Sequence, residues 1–239
     1  MIKFILNGYF RSGTTIMWYI FKQQHPELVC LYEPLNPALP KYVRENIGKV
    51  DLLHNLVLFD DYLKLPNLDE VISKHRGDGF FLVDRFELVK DYLDAIHRSV
   101  DTMLQPNRMH FIMSDVVKRY QCKAVQLVRH PADVYMDILN ICGENPGAFG
   151  MDRYYDYLLN KYGIEAKDHL EMFLIVWTFC NYEATKGGNV EVWKFEDCVK
   201  KYNLDPKKAF ISSQSLKEKT KMKLKDLGLL ELVNSFYPL

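Results

Sequence analysis

The chain has 239 residues, enough for one substantial core, and its 48% hydrophobic and 26% charged content excludes a disordered polypeptide. One α/β domain spanning 1–239 with a single active site is expected. Lysine plus arginine and aspartate plus glutamate both number 31, so no global positive field draws the protein to DNA, RNA or anionic lipid, and any anion site must be local.

In chain order, Lys3 to Asn7 alternates and is rich in strand formers, then a glycine-bearing turn leads into a predicted helix from Thr14 to Gln24 that closes before His25-Pro26. The opening MIKFILNG is interrupted too early to read as a signal peptide, and no run of about 18 apolar residues follows, so a cytoplasmic location without membrane partners is expected. Leu28 to Tyr32 is a short strand stopped by Glu33-Pro34, which puts Glu33 at a strand mouth facing a cleft. Residues 41 to 76 read as short helices covering one side. The continuous apolar run Phe80 to Val83 predicts a strand buried on both faces, and Glu87 to Met103 has helical periodicity.

A helix near 110 to 120 then precedes a strand from Ala124 to Val128, with Arg129 at its carboxyl end. His130-Pro131 opens a helix to about Ile141, helices follow near 152 to 161 and 168 to 185, Val190 to Phe195 alternates as a strand, and the tail from about Pro206 reads mainly as helix. Alternating strands and helices predict a three-layer sandwich with a central, mainly parallel sheet and a ligand at the carboxyl ends of its strands. The five cysteines are scattered, without CxxC or Cys/His clusters, and read as reduced core residues; the seven histidines show no ligand spacing, so no metal is expected.

The most informative segment is Gly8-Tyr9-Phe10-Arg11-Ser12-Gly13-Thr14-Thr15. It has the G-x4-G spacing of a P-loop, but Thr14 stands where a nucleoside triphosphatase carries lysine. Two glycines allow a tight turn, so that N–H groups at a helix start converge on one tetrahedral anion, with hydroxyls completing the cage and Arg11 supplying charge. A glycine turn merely capped by Ser12 and Thr14 is the plainer alternative.

Arg11-Ser12-Gly13-Thr14-Thr15 resembles the 5′-phosphosulfate-binding loop of the sulfotransferase superfamily, and His25-Pro26 through Leu31-Tyr32-Glu33-Pro34-Leu35 resembles the segment that follows it in carbohydrate and tyrosylprotein sulfotransferases. Val125 to Val134 resembles the family's strand-to-helix segment, which implies that Arg129 contacts a 3′-phosphate, and Glu191 to Val199 resembles the later strand whose aromatic lies near adenine, here Phe195. The resemblance implies a P-loop-like fold and sulfuryl transfer from 3′-phosphoadenosine 5′-phosphosulfate to a hydroxyl or amine of a small molecule, carbohydrate or peptide, without metal. It implies Arg11, Ser12, Gly13, Thr14, Thr15, Arg129 and Phe195 as donor-binding residues, Arg11 and Glu33 as catalytic, and Arg85 as a weaker candidate at the end of the third strand.

One position departs from the pattern. Asp137 stands where the family has a serine for the 3′-phosphate, and two like charges about 4 Å apart repel by roughly 4 kcal/mol at an effective dielectric of 20. The arginine-lysine-glycine triplet of cytosolic members is also missing, although Lys217, Lys219, Lys221 and Lys223 offer charge nearby in sequence. A P-loop kinase or triphosphatase, with Phe80 to Asp84 as its magnesium-holding strand, and an inactive nucleotide-binding relative are the alternatives.

Overall fold

The computed structural model describes residues 1–52, 54–204 and 212–239. β1 (Ile2–Gly8) runs into α1 (Thr14–Gln24), and β2 (Val29–Tyr32) follows. Residues 39–73 supply α2 (Leu39–Glu45), a two-stranded hairpin of β3 (Val50–Asp51) and β4 (Leu56–Val57), a 3-10 turn and α3 (Leu68–Ser73). Then come α4 (Lys90–Ser99), β5 (Thr102–Gln105), α5 (Met113–Tyr120), β6 (Lys123–Val128) and α6 (Pro131–Cys142). α7 (Met151–Tyr162), α8 (His169–Thr185), β7 (Glu191–Lys194), α9 (Phe195–Lys201), α10 (Gln214–Asp226) and α11 (Leu230–Asn234) complete the described chain. The expected tail helix is therefore present from Gln214, while 206–211 lies outside the described residues.

Five strands pair in parallel in the order β2-β5-β1-β6-β7. Helices cover both faces, as strands buried on two sides require. On one face Phe4 of β1 stacks on Phe21 of α1 at 4.5 Å; on the other, Gln126 of β6 donates to Asn181 of α8 at 2.8 Å. Each face has its own apolar cluster, the second built from α6, α7, α8 and the tail helices. The strand order reverses about β1, whose carboxyl end is thus the place where an open α/β sheet leaves a crevice.

The predicted strand at Phe80 to Val83 is not formed. Gly77–Phe80 is a 3-10 turn, and the apolar side chains diverge: Phe80 packs on His75 and Tyr92, while Leu82 joins the opposite cluster. The sheet position is taken by β5, which begins in the last two residues of the stretch read as a helix and runs past its end; that helix stops at Ser99. Arg85 is exposed, ends no strand and forms no ion pair with Asp84 among the described residues, so its candidacy falls, and so does the magnesium-holding strand of the kinase reading. Phe195 likewise opens α9 instead of ending β7. All five cysteines are free, four of them buried. No helix among the described residues is long and apolar enough to cross a membrane.

Candidate functional site

The loop between β1 and α1 is anchored before it turns. Tyr9 and Phe10 are buried, Tyr9 against Phe173 and Phe10 stacked on Phe149 at 5.2 Å, and the Ser12 amide donates to the Tyr9 carbonyl. Arg11 (φ 65°) and Gly13 (φ 90°) both adopt left-handed backbone, which glycine tolerates and arginine adopts at a cost of about 1–3 kcal/mol. A side chain at Gly13 would also meet the Phe195 ring at 2.3 Å, and one at Gly8 the Leu127 carbonyl at 2.8 Å. The two glycines thus allow the loop to lie against β6 and α9.

Gly13 caps α1 with no side chain, so the amides at the helix start meet no side-chain acceptor. Among the described residues the Gly13, Thr14 and Thr15 N–H groups have no protein partner, and the buried Ser12 hydroxyl has none either. Orphan amides at a helix start are a preformed anion site. The threonine hydroxyls are used otherwise than expected: Thr14 donates to the Asn107 side chain at 3.0 Å, and Thr15 is bonded to the Tyr32 hydroxyl at 3.0 Å. The Thr14 proton therefore points away from the cradle. The Arg11 guanidinium lies 4.0 Å from Asp137, largely shielded from solvent, with its Nε lacking a hydrogen-bond partner.

Glu33 sits at the end of β2 with φ 43°, its amide donating to the Gln105 carbonyl of β5. Its two carboxylate oxygens accept from the Asn107 amide at 3.0 Å and the Asn36 amide at 2.6 Å, and Arg108 approaches to 3.8 Å. Asn107 joins Glu33 to Thr14 and so ties the β2 end to the cradle. Arg108 is buried over the Phe10 ring at 4.8 Å, and its Nε and Nη1 make no hydrogen bond among the described residues.

The loop carrying Asn107 and Arg108 is held from below by a polar chain. The Asn7 side chain bonds His110 and Gln126, Gln126 bonds Asn181, and the Met109 amide reaches Asn7. Burial pushes His110 down to about 3, so it serves this chain as a neutral imidazole. Sequence reading passed over Asn107 and Arg108 because β5 was missed. Gln105-Pro106-Asn107-Arg108, a strand stopped by proline and followed by a cation, was the available signal.

Arg129 leaves β6 buried, and its Nη1 donates to the Arg11 carbonyl at 2.9 Å and to Asp137 Oδ2 at 2.5 Å. The guanidinium also lies 5.4 Å from the Phe195 ring. The carboxylate in the expected serine position is therefore turned onto the strand-end arginine, and among the described residues Asp137 Oδ1 is buried without a hydrogen-bond partner.

A cavity of about 530 Å³, a size suited to a small ligand, collects these groups. Arg11, Gly13, Thr14 and Thr15 line one wall and Glu33 with Asn107 another. Arg129, Asp137 and Phe195 line a third, while Ser12 and Arg85 are the predicted residues that do not line it. Lys217, Lys219, Lys221 and Lys223 do not line it: Lys223 pairs with Asp168 and Glu171, Lys217 faces Asp133, and Lys221 bonds the Leu239 carbonyl. Among the described residues no His, Cys, Asp and Glu group is placed to hold a metal ion. A second cleft of about 360 Å³, between α2 and α3, contains none of the predicted residues.

No family model matches the sequence. Among solved structures, a sulfotransferase from Alicyclobacillus acidocaldarius aligns over 98% of this chain and 95% of its own, with 13% identity and a TM-score of 0.43, too distant a likeness to bear on chemistry. Among curated proteins, an uncharacterized protein of Archaeoglobus fulgidus is 31% identical over the whole of this chain and 98% of its own length, and the chain belongs to the family of that archaeal protein.

Proposed function

We propose that the chain is a sulfuryl transferase of the sulfotransferase type, which binds a nucleotide donor by its 5′-phosphosulfate end and passes the sulfuryl group to an acceptor hydroxyl or amine. The observation that carries this reading is the row of unpartnered amides at Gly13, Thr14 and Thr15, beside Arg11 and across one cavity from the Glu33 carboxylate. The donor implied by the resemblance, 3′-phosphoadenosine 5′-phosphosulfate, fits the cradle at its 5′ end. In this reading its 3′-phosphate meets a wall that carries Asp137 beside Arg11 and Arg129.

In this reading the loop amides and Arg11 stabilise the negative charge that grows on the 5′-phosphate as the bond from sulfur to its bridging oxygen breaks, a preorganised electrostatic contribution. Glu33 accepts the acceptor's proton as the new bond to sulfur forms. Asn36 and Asn107 hold its carboxylate in place, and Arg108 supplies a second buried positive charge beside it.

A thermal-shift and calorimetric comparison of inorganic sulfate, adenosine 5′-phosphate and ATP with magnesium tests the reading. Sulfate and adenosine 5′-phosphate should stabilise the protein without magnesium and compete with each other. Arg11→Ala should weaken adenosine 5′-phosphate by about tenfold or more, since a charge-assisted hydrogen bond contributes roughly 1.5–3 kcal/mol. Binding only of magnesium ATP would favour a kinase or triphosphatase instead. Nucleotide binding with no transfer to sugar, phenol or amine acceptors would favour a binding relative.

A further inference from the structure

The cradle fixes where the 5′-phosphate lies, and the neighbouring groups then decide what the rest of the nucleotide must be. Ribose is joined to that phosphate through one methylene, so the sugar lies close to the cradle, and Asp137 is the carboxylate beside Arg11 on the adjoining cavity wall. Its Oδ2 is 4.0 Å from Arg11 Nε and is paired with Arg129, which is itself bonded to the Arg11 carbonyl, and the side chain lines the cavity. The Phe195 ring, beside Gly13 and 5.4 Å from the Arg129 guanidinium, gives the same cavity an apolar surface for a base.

Asp137 engages Arg129 and lies 4.0 Å from Arg11, the cation at the cradle. Among the described residues Asp137 Oδ1 is buried without a partner, in a residue only 3% exposed. An ionised carboxylate oxygen can only accept hydrogen bonds. A sugar hydroxyl can donate one; a phosphate offers only acceptor oxygens and negative charge. Dinucleotide sites show the same division, with an acidic residue for free ribose hydroxyls and an arginine for a ribose phosphate.

We propose that this cavity selects a nucleotide with free ribose hydroxyls, so that its donor is a nucleoside 5′-phosphosulfate lacking a 3′-phosphate, with Asp137 accepting from the sugar. This specificity rests on the sulfuryl-transfer reading for the identity of the donor, but the binding preference can be measured separately.

Isothermal titration of the intact protein with adenosine 5′-phosphate, adenosine 3′,5′-bisphosphate and 2′,3′-dideoxyadenosine 5′-phosphate separates the possibilities. Adenosine 5′-phosphate should bind at least as tightly as the bisphosphate, and the dideoxy compound about tenfold more weakly, the loss of one hydrogen bond to a charged group. Asp137→Ser should shift the preference toward the bisphosphate by about tenfold or more. The ligand-side comparison needs no variant, so it holds if the substitution unfolds the protein. Tenfold preference of the unaltered protein for the bisphosphate, or equal binding of the dideoxy compound, would overturn the proposal while leaving the cradle intact. Failure of all three nucleotides to bind would remove both the proposal and the sulfuryl-transfer reading beneath it.

Discussion

Two strand-to-helix junctions lie side by side at the carboxyl edge of the sheet, and their helix starts are treated in opposite ways. Where β1 meets α1, the cap is a glycine and three amides are left without partners among the described residues. Where β6 meets α6, His130 accepts from the Ala132 amide, Pro131 removes one donor altogether, and Glu196 takes the His130 amide. Arg129 beside it is closed by Asp137. A helix start binds anions only where its donors have been left open. The comparison therefore places affinity for a phosphate or sulfate at the first junction and a structural, charge-balanced wall at the second.

The largest expected effect comes from closing the first junction. Gly13→Ala forces a side chain into left-handed backbone and against the Phe195 ring. Backbone strain of about 1–3 kcal/mol and overpacking of similar size should lower the melting temperature by several degrees. Binding of sulfate and adenosine 5′-phosphate should be lost at the same time. A variant that melts early yet binds normally would show that the cradle is not the anion site.

The two junctions also differ in how the sequence displays their surroundings. The first was legible because Gly8, Gly13 and the apolar period of Thr14 to Gln24 impose one local structure, and the second because His130-Pro131 marks a helix start after an apolar run. The neighbouring edge at β5 was not legible. That strand is Thr-Met-Leu-Gln, and its two polar ends are as fully buried as its apolar middle, so hydrophobic pattern gives no sign of a central strand. Phe80 to Val83 carries the stronger pattern, yet its side chains pack into opposite clusters from a turn. The error displaced the expected basic residue from Arg108 to Arg85. Glu33 survived because its own strand and the following proline located it without reference to β5.

A change across the cavity from the first junction should leave binding intact and affect chemistry alone. Glu33→Gln keeps an acceptor for one asparagine amide but turns its own N–H₂ toward the other, at a stability loss of about 1 kcal/mol. Affinity for adenosine 5′-phosphate should stay within about twofold, while transfer to any working acceptor should fall by about a hundredfold or more, the usual contribution of a positioned base. Unchanged turnover would take Glu33 out of the mechanism and leave the binding assignment standing.

The smallest effect belongs to the second junction and should appear as stability without function. Burial pushes His130 down to about 4, opposed by the neighbouring Asp133 carboxylate and reinforced by Lys217, so at neutral pH its ring is unprotonated and free to accept from the Ala132 amide. Because this value lies below the roughly 6.5 of an unfolded histidine, the unfolded chain takes up the proton first as pH falls. The stability that His130 contributes is therefore complete above about pH 6.5 and is lost progressively as pH drops toward 4. His130→Ala should cost about 1 kcal/mol at pH 7.5, the typical loss of a helix cap, with nucleotide affinity unchanged. The difference between the two proteins should shrink between pH 6.5 and 4, although His75 and His110, likewise held neutral by burial, make both less stable over the same range. Urea titrations of both proteins across that range measure the gap directly. A constant gap would mean that the imidazole does not act through its unprotonated nitrogen, and weakened nucleotide binding in the variant would mean that the second junction is not the closed wall its hydrogen bonds describe.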